Sequence, residues 1–77
     1  MIFNKDALIQ MIKKGLKIYA TSYENQFDIK RNFQKGGYDV QEVRYLGPYS
    51  GEPFEILDQN FIDGDWIYLI KFKEVGN

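Results

Sequence analysis

Five carboxylates, Glu52, Glu55, Asp58, Asp63 and Asp65, occupy a stretch between Arg44 and Lys71 that contains no base. Such side chains can do three things: move protons, ligate a hard cation, or present negative charge to a basic partner. The rest of the chain argues against the first. It has no His and no Cys, so Ser-His-Asp and Cys-His nucleophile systems are impossible and the commonest general base is missing. Ser22 and Ser50 have no activating neighbour in sequence. A carboxyl pair with a raised pKa needs a cleft, which 77 residues seldom build. Glu42-Val43-Arg44 lacks the lysine that a metal nuclease sets beside its carboxylates. No catalytic residue is expected, and the protein is read as a non-enzyme.

Cation binding fares no better. The stretch Asp58-Gln59-Asn60-Phe61-Ile62-Asp63-Gly64-Asp65 resembles a calcium loop only in composition. Counting from Asp58 puts Ile62 where the EF-hand needs its third acidic-type ligand and Asp63 where it needs glycine. Gly47-Pro48-Tyr49-Ser50-Gly51 lacks the Gly-Lys-Ser/Thr ending of a phosphate loop. Neither a metal nor a cofactor is expected.

Charge presentation remains. Net charge is −1, but residues 1–35 carry seven bases and three acids, and residues 36–77 three bases and eight acids. The expected partner is a protein with a basic surface. It would be met by Glu52, Glu55, Asp58, Asp63 and Asp65, with Tyr49 on the Pro-bounded loop as an aromatic anchor. The plainer account is that these acids solubilise a hairpin and discourage edge pairing. Nucleic acid is the alternative partner: six Tyr, six Phe and one Trp could stack bases. Its phosphates would need a patch of Lys13, Lys14 and Lys17 with Lys30, Arg31 and Lys35, provided those elements adjoin. A self-associating structural subunit is the third reading.

The elements that must position these residues read as follows. Asn4 is a fit N-cap, Ala7, Leu8, Met11 and Ile12 form a stripe, and Gly15 suits a C-terminal stop, so a helix is expected over 4–14. Residues 16–23, rich in β-branched and aromatic types, read as a strand. Residues 25–35 fit two patterns. As a helix they pair Ile29 with Phe33 and stop at Gly36-Gly37; as a strand Phe27, Ile29, Arg31 and Phe33 alternate. The helix is preferred. Residues 38–46 give a strand and 47–53 a turn-rich loop.

Phe54 to Phe61 and Trp66 to Phe72 flank Asp63-Gly64, a pair that favours a type I′ hairpin turn. In that register Phe61 faces Trp66, Gln59 faces Tyr68, Leu57 faces Ile70 and Glu55 faces Phe72. Leu57, Phe61, Trp66, Tyr68, Ile70 and Phe72 then share the core face, leaving Ile56, Ile67 and Leu69 on a partly wet one. Gly76-Asn77 should fray.

The expected fold is α+β, one domain over 1–77, with the N-terminal helix, and a second short one if 25–35 is helical, on one face of a mostly antiparallel sheet of about four strands. A small five-stranded barrel with one helix is the alternative. No apolar run nears the ~20 residues that span a bilayer and no leader pattern is evident, so a soluble, cytoplasmic protein without membrane association is expected. Ile, Lys, Asn, Phe and Tyr are plentiful, whereas Ala occurs only at positions 7 and 20. That usage suits an AT-rich genome, and short chains of this kind are common in phages and mobile elements. A small inhibitor from such a source is the function these observations suggest.

Overall fold

A computed structural model describes residues 2–73. Helix α1 spans Lys5–Lys13, strand β1 Lys17–Thr21 and helix α2 Gln26–Lys35. Strands β2 (Val40–Pro48), β3 (Phe54–Ile56), β4 (Gln59–Phe61) and β5 (Trp66–Phe72) complete the order. Both helices are closed by local sequence. Asn4 Oδ1 accepts from Ala7 N–H at 2.9 Å, and Asn25 Oδ1 from Asp28 N–H at 2.9 Å. The Asp28 side chain returns to the Asn25 N–H, forming a capping box.

At the far ends Gly15 and Gly37 adopt φ +88° and +94°. Gly15 N–H then reaches Ile12 O and Leu16 N–H reaches Met11 O; Gly37 and Tyr38 do the same to Gln34 O and Phe33 O. These paired bonds satisfy carbonyls that a helix end leaves open. The segment 25–35 is therefore a helix, and the strand alternative falls.

Strand β5 lies in the middle of a three-stranded sheet in the order β1-β5-β2, with both pairings antiparallel. Its alternate residues serve two cores. Ile67 and Leu69 join Phe3, Leu8, Ile18, Tyr49 and Phe61 beneath α1. Tyr68, Ile70 and Phe72 join Ile29, Phe33 and Val40 beneath α2. The second helix thus covers the face opposite the first, so the central strand β5 is covered on both sides. Burial of each such side chain contributes about 1.5–3 kcal/mol. The fold is α+β with a three-stranded and a two-stranded sheet, not a closed barrel.

The closing hairpin differs from the sequence expectation. The run 54–61 folds on itself: Phe54 pairs with Phe61, Glu55 with Asn60 and Ile56 with Gln59, around a turn at Leu57 (φ +50°) and Asp58 (φ +63°). Asp63-Gly64 does form a turn, with Asp65 N–H donating to Ile62 O at 3.1 Å. Only Gly64 has positive φ there, at +90°, whereas a type I′ turn needs it at both central residues. The turn instead bonds to Tyr49, whose N–H donates to Asp65 O at 2.7 Å and whose carbonyl accepts from Gly64 N–H at 2.9 Å.

Strand β5 consequently pairs with β1 and β2 rather than with 54–61. Four assignments change as a result: Leu57 is 76% exposed and Trp66 39%, Ile67 is fully buried, and Phe61 is buried on the Ile67 side rather than with Tyr68 and Ile70. The physical reason is length. Three-residue strands cannot cover a seven-residue strand that is apolar on both sides. The fraying expected at Gly76-Asn77 lies outside the described residues.

An ordinary side chain in the left-handed region costs about 1–2 kcal/mol. Replacing Leu57-Asp58 by Asn-Gly (L57N/D58G) should therefore raise the urea midpoint and add about 1 kcal/mol or more to unfolding stability. Phe61→Ala, which empties a fully buried site, should cost about 3–5 kcal/mol in the same measurement. A lower midpoint for the Asn-Gly variant would contradict the turn.

Candidate functional site

The structure separates the five acids. Glu52, Glu55, Asp58 and Asp63 are exposed, whereas Asp65 is only 5% exposed. The Asp65 carboxylate accepts from Ile62 N–H at 3.1 Å and closes the turn before β5. It is a structural carboxylate and leaves the surface array. Asp63 Oδ1 accepts from Gly51 N–H at 3.0 Å, which brings Asp63 beside Glu52 in the loop after β2. Glu55 and Asp58 sit on the β3–β4 hairpin, with Asp58 at its tip.

Tyr49 is not an exposed anchor. It is 1% exposed, packed against Phe54 and Phe61 at ring separations of 5.6 and 6.3 Å. Its hydroxyl donates to the Glu52 carbonyl, and its backbone forms a parallel bridge with Phe3. Burial pushes its phenol pKa up, and the nearby Asp63 and Glu52 charges push in the same direction. Tyr49 thus ties the acid-bearing loop to the core, a placement that Gly and Pro content around it could not reveal.

The bases gather by topology rather than on one helix face. Strand β1 starts opposite Ile70 and β2 starts opposite Phe72, while Phe33 of α2 packs on Phe72 at 5.9 Å. Both helices therefore end at the Phe72 end of the sheet. Lys13, Lys14, Lys17, Lys35, Lys71 and Lys73 belong to that end. Of these, Lys73 reaches Asp39 at 3.6 Å. Lys30 and Arg31 lie further back along α2, and Arg31 is tied to Asp28 at 2.7 Å. Of the six bases grouped by sequence, Lys13, Lys14, Lys17 and Lys35 share that end and Lys30 and Arg31 do not.

Sequence reasoning missed Glu24. It is 8% exposed and has no cation within salt-bridge distance among the described residues. Neutral donors satisfy it instead. Tyr19 donates to Oε1 at 2.6 Å, Thr21 Oγ1 lies 3.5 Å from the same oxygen, and Asn32 Nδ2 donates to Oε2 at 3.0 Å. Tyr68 adds a bond to the Glu24 carbonyl at 3.1 Å. These donors occupy both carboxylate oxygens, so the group links β1, α2 and β5 rather than facing a substrate. Its one sequence signal is its place among Tyr19, Thr21 and Tyr23.

A groove of about 450 Å³ runs along β1. Ile18 and Ala20 of β1 line it on the α1 side and Tyr19 on the α2 side. Phe33 and Phe72 wall one flank; Leu16, Leu57, Gln59 and Asn60 wall the other. A shallower depression of about 300 Å³ adjoins Asn4, Asp6 and Glu52. Among the described residues no cluster of carboxylates is arranged to hold a metal ion, and no helix is long and apolar enough to cross a membrane.

No protein-family model, curated protein or solved structure matches this chain.

Burial, then the hydrogen bond to Glu24, pushes the Tyr19 phenol up from 10.0 to about 12. The folded state therefore keeps a proton that the unfolded chain releases near pH 10. The associated stability is complete below that pH and declines as pH rises toward 12. Absorbance titration should show a phenol ionising near 12, and Glu24→Gln should lower its midpoint. Glu24→Ala, which strands the Tyr19 and Asn32 donors, should cost about 1–3 kcal/mol in urea unfolding. An unchanged titration in Glu24→Gln would remove this network from the account.

Proposed function

We propose that this protein is a small non-enzymatic binding module that meets a basic surface of a protein partner with Glu52, Glu55, Asp58 and Asp63, and blocks that surface by occupying it. One observation carries this reading. Among the described residues none of the four has a Lys or Arg nitrogen within salt-bridge distance, so their charge faces solvent uncompensated. Such a field acts over a Debye length of about 8 Å at physiological salt and speeds encounter with a cationic groove. A nucleic-acid-processing or defence protein presents a groove of that kind. An inhibitor from a phage or mobile element fits the small size and composition.

A second reading rests on the Lys13, Lys14, Lys17, Lys35, Lys71 and Lys73 end, which could neutralise phosphates. The two separate cleanly. Affinity capture with the wild type should retain cationic proteins that are lost on E52Q/E55Q/D58N/D63N and at raised salt, and binding of the purified partner should weaken at least tenfold. An equal catch from both chains would sink the acidic-surface reading. Retention on single- or double-stranded nucleic acid that falls steeply with salt and disappears in K13Q/K14Q/K35Q would favour the second.

A further inference from the structure

We propose that the free edge of β1 binds an extended segment of a partner protein, which adds as a fourth strand beside β1, with apolar side chains along its length and an acidic residue at the Lys17 end. The sheet has two edges, and they differ. Strand β2 breaks register between Val40 and Glu42 and again between Tyr45 and Gly47, irregularities that blunt an edge. Strand β1 runs in unbroken register from Lys17 to Thr21 and pairs only with β5. Every second residue of such an edge strand turns its N–H and C=O outward, where a further strand can pair with them.

The edge is also recessed. Phe33 and Phe72 rise on one flank of the groove, and Leu16 and Leu57 on the other. Successive residues of an added strand point to alternate flanks, so both sets would meet apolar walls. Gln59 and Asn60 supply amide groups beside the same edge. Five residues of strand cover about 17 Å, a match for β1. At the Lys17 end, Lys13, Lys14 and Lys17 are exposed, with no carboxylate within salt-bridge distance among the described residues; an acidic residue complements them. The two walls favour a single thin strand, because the β1 edge of a second copy brings equal walls of its own. Leu57 sharpens the point. An exposed leucine is held at φ +50°, where Asn or Gly would relax the turn, and it stands on the groove wall. Strain of this kind clusters at binding sites.

The probe is a displayed random ten-residue peptide library, selected on the full chain and followed by fluorescence anisotropy with the enriched peptide. Expected are four or five consecutive apolar or β-branched residues beside an Asp or Glu. Leu57→Asp and Lys17→Glu, both at exposed positions and checked for folding by circular dichroism, should each weaken binding at least tenfold. N-methylation of alternate peptide amides should abolish binding in one frame and spare it in the other. Failure to enrich any peptide, tolerance of both N-methyl frames, or equal affinity for the variants would overturn the proposal. So would a dimer in sedimentation equilibrium that Leu57→Asp dissociates, because a second copy would then fill the edge.

Discussion

The two-sided burial of β5 is the constraint on which the rest of the structure depends. Ile67 and Leu69 face one way, Tyr68 and Ile70 the other. A central strand of this kind needs a paired strand on each edge and a cover on each face. Strands β1 and β2 provide the pairing, and α2 covers the Tyr68 face. Helix α1 with the β3–β4 hairpin covers the Ile67 face. Removing either cover would expose one of two separate apolar clusters, so each contributes something the other cannot replace.

Polar groups drawn inward by this arrangement are satisfied locally. Glu24 is bonded by Tyr19 and Asn32, and Asp65 by the Ile62 amide. An unpaired buried carboxylate would be costly, and here hydrogen bonds to neutral donors offset that cost without a counter-cation. The remaining charge is left outside and is sorted by connectivity. Both helices run toward the Phe72 end, so their partly negative C-termini meet the lysines there. Glu52 and Asp63 lie by the loop after β2, and Glu55 and Asp58 on the β3–β4 hairpin.

Both oxygens of the buried Glu24 and one of Asp65 are hydrogen-bonded, and Glu52, Glu55, Asp58 and Asp63 are dispersed over a loop and a hairpin. The groove along β1 is different in kind. It joins unpaired backbone edge, apolar walls and a cationic end. The same Leu57 that strains the hairpin turn stands on its wall, so local stability and surface shape pull against each other at that residue.

Much of the fold was legible in the chain because its signals are local. Asn4 caps an amide within three residues and Gly15 takes up a φ value that other residues avoid, so the first helix and its ends could be read directly. Residues 25–35 fitted both a helix and a strand until their capping box and the Gly37 turn were seen. The acidic and basic halves were equally plain. Strand pairing was not local. Asp63-Gly64 promised a hairpin by composition, but Asp63 lacks the positive φ that such a turn requires, and Leu57-Asp58 adopted it against their own preference. Only the competition among strands for the two edges of β5 could decide this, since pairing energy depends on partners far away in sequence. The same competition buried Tyr49 and Asp65, assembled the donors around Glu24 and left one side of β1 open.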